Sequence, residues 1–220
     1  LQKHAHRVFQ YALRPGGHVV RDQSVCRVLS AEPPADGLPQ KILRSFIFGN
    51  VRTPLQDAEF AIHQMVEIAL RALSPGINDP YTAITCIDHL SAVLCYLANA
   101  RFPSSFRFDE EGNLRVVTER LTFNGMLAAA FNQIRQFGDG SPSVIIRLME
   151  ALVTIHNIAR FKEQKEDVLR HADMVMRAAE KSFGEENDLI DLQERYAAIT
   201  TDRSADRSAD LQVRREHDSP

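Results

Sequence analysis

The sequence predicts a mainly α fold with a small β element, an α+β domain of six or seven helices. Apolar residues recur at three- and four-residue spacing through most of the chain after residue 52, and this is the period of an amphipathic helix. Short runs rich in Val, Ile and Phe are confined to residues near 18–29, 46–48 and 106–117, which predicts short strands or hairpins there. Strands and helices do not alternate regularly, so a parallel β/α fold is not indicated.

Two helices joined by a polar bend form the most regular stretch. The first is predicted at about 54–73, with Thr53 as N-cap and Pro at the first helical position. Pro and Gly within 74–79 end it, because Pro cannot continue a helix and Gly tolerates left-handed backbone. Asp79 then caps a second helix at 80–98. We predict that this helix pair is the hub against which the other segments fold.

The remaining elements follow from the same patterns. In chain order, the sequence predicts a short amphipathic helix at 1–13, strands at 18–20 and 25–29, a loop at 30–40, a short helix and a strand within 42–51, and a hairpin at 106–117. Four more helices are predicted: one with its apolar stripe from Phe123 to Ile134 that ends at 138–140, one that starts at 141–143 with its stripe reaching Ile158, and two at 161–181 and 185–199. We expect one domain over 1–200, with 14–51 as a small β-containing part and 52–200 as a helical core. Residues 201–220 are polar and repeat Asp-Arg-Ser-Ala, so we predict a disordered tail.

Composition narrows the classes of function. The net charge is −3 and no block of Lys and Arg interleaves with aromatics, so nucleic acid is not an expected partner. The three cysteines are scattered without a CxxC pair, which indicates a reducing compartment. No apolar run reaches the roughly 18 residues that span a bilayer. The chain begins at Leu1 rather than Met, so we expect part of a longer protein.

Polar residues gather around the bend between the two helices and form the candidate ligand site. Its members are Arg52, Thr53, Gln56, Asp57, Glu67, Arg71, Ser74, Asn78, Asp79 and Thr82. A helix N-terminus offers free N–H groups to a small anion. The alternative is that these groups cap the helices and pair with one another. Glu67 and Arg71, for example, are four residues apart in the order that favours an ion pair on a helix.

A second pattern places Glu59, His63 and Glu67 on one helix face. These side chains are types that zinc and other transition metals accept, although a solvated charged face has the same pattern. No nucleophile elbow, phosphate-binding loop, dinucleotide fingerprint or zinc-protease signature is present in the sequence. We therefore predict no catalytic residue, no metal and no cofactor.

The segment from Arg52 through the bend resembles a known family signature. The similarity runs from Arg14-Pro15-Gly16 to about Glu150 and rests on the following pieces: Phe48-Gly49, Arg52-Thr53, Gln56-Asp57, Asn113-Leu114-Arg115-Val116 and the long run 72–80. It is similar to the domain-of-unknown-function 2254 family of predicted bacterial membrane proteins. Members of that family resemble one another in having N-terminal transmembrane helices followed by a soluble domain. The resemblance implies that this chain is the soluble part, facing the cytoplasm at a bacterial inner or plasma membrane.

Three hypotheses of function follow. The resemblance implies a regulatory or assembly domain whose partners are the protein's own N-terminal transmembrane region and a homo-oligomer. The polar bend at 74–82 suggests instead a sensor of a small ligand or anion, controlling transport. A metal-dependent hydrolase using Glu59, His63 and Glu67, or Asp57 and Asp79, ranks third.

Overall fold

The computed structural model describes residues 7–33 and 35–217, with side chains as far as residue 201. Within those residues it has seven helices and four strands, so the predicted mainly α class with a small β element is confirmed. In chain order they are β1 (Arg7–Tyr11), β2 (Cys26–Ser30), α1 (Leu38–Arg44), α2 (Ala58–Ala72), α3 (Pro80–Leu97), β3 (Phe106–Phe108), β4 (Leu114–Val117), α4 (Phe123–Phe137), α5 (Pro142–Ile158), α6 (Lys162–Ser182) and α7 (Glu186–His217).

The chain divides into two compact units, each made of two separate segments. We call residues 1–61 with 102–121 the sheet unit, and residues 62–101 with 122–220 the helical unit. The expected domain over 1–200, with 14–51 as its β-containing part and 52–200 as its helical core, stays a prediction. The hairpin at 106–117 pairs with β1 across a long stretch of sequence, which no local pattern reveals.

All four strands belong to one sheet of the sheet unit, in the order β2-β1-β4-β3. β1 is antiparallel to β2, with Phe9 opposite Val28, and parallel to β4, with Phe9 opposite Val116. The predicted helix at 1–13 is wrong where it can be examined, because residues 7–11 form β1; residues 1–6 lie outside the described residues. Val, Phe and Tyr in that strand favour a pleated, half-buried surface over a helix.

Two other predicted strands are absent from the described elements. Residues 18–20 precede β2 without belonging to it, and the 46–48 segment is irregular. Phe46 instead packs its ring against Tyr11, with ring centroids 5.7 Å apart, and against Phe48, with centroids 6.0 Å apart. Aromatic packing, rather than strand pairing, therefore accounts for Phe46 and Phe48, while Ile47 between them is exposed.

Helix α5 is the centre of the helical unit. It packs against α3, α4, α6 and α7, and its buried residues spread over most of its circumference: Val144, Ile145, Leu148, Met149, Ala151, Leu152, Ile155 and His156. A helix that is apolar on most sides belongs in the interior. The prediction that the pair at 54–73 and 80–98 forms the hub is therefore wrong.

The ends of two helices also differ from the expectation. α2 begins at Ala58 rather than at Pro54, because Asp57 supplies the cap: the N–H of Phe60 donates to the Asp57 carbonyl at 3.2 Å. α7 is helical as far as His217, over much of the range predicted to be disordered, while 218–220 lie outside the described residues. Residues 201–217 contain neither Gly nor Pro, so nothing local stops the helix.

Candidate functional site

Five charged residues of the sheet unit form what we call the arginine–carboxylate cluster: Arg14, Arg52, Asp57, Glu59 and Glu119. Its innermost pair joins Arg52 to Asp57. The Asp57 Oδ2 accepts from Arg52 Nε at 2.6 Å and lies 2.6 Å from Nη2, and Asp57 is only 6% exposed. The guanidinium also lies over the Phe60 ring, 5.6 Å from its centroid, so both cation–π attraction and the carboxylate hold it.

The surroundings of Asp57 keep it ionised. Burial raises the pKa of its carboxyl, but the hydrogen bond and charge of Arg52 and the backbone N–H groups of Phe60 and Glu59 outweigh burial, so the pKa lies below its ordinary value. A carboxylate with a lowered pKa is a weak proton acceptor at neutral pH. The pair is therefore suited to holding structure rather than to general base catalysis.

Arg14 connects three parts of the sheet unit. Its Nη1 and Nη2 donate to the two carboxylate oxygens of Glu59, each at 3.2 Å, and its Nε lies 3.7 Å from Glu119 Oε2. Glu59 is in the first turn of α2 and Glu119 follows β4. A bidentate guanidinium–carboxylate pair fixes direction as well as distance, so Arg14 ties the turn after β1 to the start of α2.

Gly16 lies directly against the cluster. Its φ is +82°, and a Cβ at this position would fall 1.9 Å from Asp57 Oδ2 and 2.5 Å from Asp57 Cγ. Left-handed backbone and this close approach both require glycine. Gly16, which belongs to the Arg14-Pro15-Gly16 segment of the family resemblance, is thus the surface against which the Asp57 carboxylate packs.

A small cavity of about 150 Å³ borders the cluster. Arg14, Asp57 and Glu59 line it, and residues from the segment around the hairpin, such as Ser104, Arg107 and Thr118, complete the lining. Arg107 donates to the carbonyls of Ser104 and Phe106. Pockets that hold drug-sized ligands begin at about 300 Å³, so this cavity has room only for a few waters or a very small polar molecule.

The polar bend of the helical unit uses its side chains as caps. Asp79 is the N-cap of α3: its Oδ1 accepts the Thr82 N–H at 3.1 Å and its Oδ2 accepts the Thr82 hydroxyl at 2.6 Å. These two bonds to Thr82 lower the pKa of the Asp79 carboxyl. Asn78 takes a φ of +49°, and the Ser74 hydroxyl donates to the Arg71 carbonyl at 2.7 Å. Because Asp79 already accepts an N–H that an anion would need, this geometry favours the capping interpretation.

The ten predicted site residues fall into both units. Arg52, Thr53, Gln56 and Asp57 are in the sheet unit, and the other six are in the helical unit. Arg52 and Asp57 are brought together, as are Asp79 and Thr82. Glu67 and Arg71 form an exposed i,i+4 pair at 3.8 Å, and Thr53 and Gln56 are exposed, with Gln56 at the edge of the cavity. Their common role in one ligand site stays a prediction.

The metal site suggested by the spacing of Glu59, His63 and Glu67 gains no support from the structure. Glu59 is engaged by Arg14, and the described residues contain no group of three His, Cys, Asp or Glu side chains that could hold a metal ion.

On α6, His171 is buried. Burial first, and then the charges of Arg170 and Arg135, lower its pKa to about 4. His171 is therefore neutral near pH 7.

Comparison with known proteins places the chain in a family. A family model described as "Predicted membrane protein" and numbered as domain of unknown function 2254 matches residues 1–154. The chain belongs to the domain-of-unknown-function 2254 family. Uncharacterized proteins of Mycobacterium bovis and of two strains of Mycobacterium tuberculosis are each 38% identical to it over 155 residues. No solved structure matches it.

The match within the domain-of-unknown-function 2254 family covers only part of the relatives. It spans 70% of this chain but 30% of each mycobacterial protein. Residues 1–154 of this chain, which the family model matches, contain the whole arginine–carboxylate cluster. None of the helices in the described part of the chain combines the length and apolarity that crossing a bilayer requires.

Some ionic contacts were missed by sequence reasoning. Arg14 and Glu59 are 45 residues apart, so no spacing rule links them. The Arg-Pro-Gly sequence was the only local signal at that position.

A second set of ionic contacts lies in the helical unit. Arg147 Nε donates to Asp88 at 2.6 Å, Arg147 Nη1 donates to Glu150 at 2.9 Å, and Arg195 Nε donates to Glu150 at 2.8 Å. This network joins α3, α5 and α7 across the surface, where pairs are worth little individually.

The Arg52–Asp57 pair predicts a pH dependence of stability. The folded-state pKa of Asp57 is lowered, so its contribution is fully present above the unfolded value of about 3.9 and is lost as the pH falls through the folded value. We expect Asp57→Asn to lower the melting temperature at pH 7. We also expect the melting temperature of this variant to decrease less than that of the wild type as the pH falls below 4. Thermal unfolding monitored by circular dichroism at several pH values measures both effects.

The matched control is Asp36→Asn, which alters an exposed carboxylate of the same unit. This control should follow the wild type at every pH. Parallel melting curves for wild type and Asp57→Asn from pH 7 to pH 3 would contradict the assigned role of the pair.

Proposed function

We propose that this chain is the cytoplasmic assembly domain of a larger membrane protein, and that copies of it associate through the outer face of α3. The support from the comparisons is the family description and the fact that the chain covers 30% of the length of its relatives. Under this proposal the remaining length of such proteins includes the transmembrane region. The free cysteines Cys26, Cys86 and Cys95 agree with a reducing compartment.

One observation carries the assembly role: the most exposed positions of α3 include no Asp, Glu, Lys or Arg, while Asp88 at the side of the helix is paired with Arg147. The exposed residues of α3 recur at helical spacing and are Tyr81, Thr85, His89, Ala92, Val93 and Tyr96. Tyr81 and Tyr96 are 79% and 78% exposed. Aromatic residues are enriched at protein interfaces and charged residues are depleted from their cores, so this face has the composition of an interface.

The contrast with α6 in the same unit makes the α3 face unusual. The exposed positions of α6 within 162–181 are all charged: Lys162, Glu163, Glu166, Arg170, Arg177, Glu180 and Lys181. A charged face of this kind is the ordinary solvated side of a surface helix. The opposite side of α3 is already used, since Ala83, Ile87 and Leu94 are buried.

A second copy of the chain is the partner that this face fits. In a two-fold interface both subunits present the same patch, so the α3 face of one copy contacts the α3 face of the other. A patch without Asp, Glu, Lys or Arg avoids the repulsion between like charges that such symmetry imposes on a helix face rich in those residues. The tyrosines supply apolar rings together with hydroxyl groups that remain able to hydrogen bond.

The proposal predicts that Ala92→Glu reduces self-association by at least about tenfold, since a buried unpaired carboxylate at each copy opposes the interface. The measurement is sedimentation velocity or light scattering after size exclusion over a range of concentrations. Ala198→Glu is the matched control, because Ala198 is exposed on α7 and the substitution is identical.

The wild type and the control should show the same concentration-dependent increase in mass, and Ala92→Glu should remain monomeric. Circular dichroism establishes that both variants are folded. A wild type that stays monomeric at high concentration, or an association that Ala92→Glu and Ala198→Glu leave equally intact, contradicts assembly through α3.

A further inference from the structure

A second surface, in the sheet unit, exposes an unusual set of large apolar side chains. Ile47 is 98% exposed, Leu55 90%, Val51 80%, and Phe48 and Leu43 about half or more. Together they lie within 41–55, which we call the apolar segment. Single exposed apolar residues are ordinary, but five large ones within thirteen residues of sequence are a candidate interaction site.

The charge of the apolar segment is of one sign. No Asp or Glu occurs from residue 38 to residue 56, whereas Lys41, Arg44 and Arg52 fall within it, in a chain whose net charge is −3. Arg52 is engaged by Asp57. Lys41 and Arg44 are exposed in the last turn of α1, so they can face an anionic partner.

Aromatic packing within the segment leaves Ile47 on the outside. Phe46 contacts Tyr11 at the end of β1 and Phe48 beyond it, while Ile47, between the two phenylalanines, is almost entirely in solvent. The backbone at 46–57 belongs to no helix or strand, and its polar groups need water or headgroups as partners. Such a segment suits the headgroup layer, with side chains alone reaching the acyl chains.

We propose that the apolar segment docks onto an anionic lipid surface. Ile47, Val51 and Leu55 enter the boundary between headgroups and acyl chains, and Lys41 and Arg44 approach the lipid phosphates or carboxylates. Apolar side chains beside cations are the combination that binds such an interface. A protein partner would have to supply both an apolar surface and negative charge, whereas an anionic bilayer presents the two together.

The test is co-sedimentation of the 220-residue chain with vesicles of phosphatidylcholine containing 30% phosphatidylserine, beside vesicles of phosphatidylcholine alone. We expect binding to the mixed vesicles, weakened by salt. Leu55→Ser should weaken this binding about tenfold or more, because the variant lacks the leucine side chain that enters the bilayer in the bound state. Lys41→Gln with Arg44→Gln should weaken it about fivefold for each cation removed.

Matched controls come from the same unit. Leu29→Ser changes a leucine that is 54% exposed on β2, and Arg21→Gln with Arg27→Gln removes two exposed cations outside the segment. Both controls should bind as the wild type does. All the altered positions are exposed, and circular dichroism verifies that each variant is folded.

Three results would overturn the proposal. One is no binding to either kind of vesicle, another is equal binding to both, and the third is an equal loss in Leu29→Ser and Leu55→Ser. A self-association that Leu55→Ser abolishes, without vesicle binding, would assign the segment to a second copy instead. The α3 interface is tested separately by Ala92→Glu, so failure of one proposal leaves the other to its own measurement.

Discussion

Replacing Gly16 with alanine is expected to lower the free energy of unfolding by about 2–4 kcal/mol. The new methyl group would lie 1.9 Å from Asp57 Oδ2, so the carboxylate has to move away from Arg52, to which it is joined at 2.6 Å. The backbone also bears the cost of a left-handed conformation at φ +82°. Urea unfolding followed by circular dichroism gives the total effect.

Gly112 separates these two costs. Its φ is +81°, nearly that of Gly16, but a Cβ there would meet nothing within 4 Å. Gly112→Ala should therefore show only the backbone cost of about 1–2 kcal/mol. If the two variants lose the same stability, the close approach of Gly16 to Asp57 contributes nothing, and the cluster does not depend on that glycine.

Replacing Ile155 with alanine is expected to destabilise the helical unit by about 2–5 kcal/mol. Ile155 is completely buried on α5, the helix against which α3, α4, α6 and α7 pack. Removing its methyl and methylene groups leaves a cavity that four surrounding helices cannot readily close. Thermal or urea unfolding monitored at 222 nm, the helical band, gives the change.

Ile190→Ala provides the comparison, because Ile190 lies on α7 in the same unit and is 45% exposed. The loss there should stay below about 1 kcal/mol, since nearly half of the residue is already in water and a surface truncation leaves no enclosed cavity. Equal losses for the two variants would mean that α5 is not the centre of packing.

Local patterns in the sequence were sufficient for most helices. α4 begins at Phe123 after Thr122, whose hydroxyl accepts the Gly125 N–H at 3.1 Å, and α5 begins at Pro142 after Ser141. Periodicity and caps depend on residues within one or two turns of each other. The hairpin at 106–117 was predictable for the same reason, because its Gly-bearing loop joins adjacent strands.

Contacts between distant residues were not predictable. The apolar spacing in residues 1–13 also fits a helical stripe, and only pairing with β2 and β4 makes residues 7–11 a strand. Arg14 and Glu59 have no local relation that would reveal their bidentate pair. Among the candidate site residues, the bend at Asp79 and Thr82 was predictable as a cap, since that bond spans three residues.

The helical class and the capped bend before α3 follow from residues close together along the chain, and the family follows from motifs spread between residues 14 and 150. The tertiary structure was needed to find that α5 occupies the centre of the helical unit and that Gly16 packs on the Arg52–Asp57 pair. It alone also revealed that the outer face of α3 and the segment at 41–55 remain exposed. Burial is a property of the whole packed chain, because the free energy gained from removing apolar surface depends on which distant segments meet.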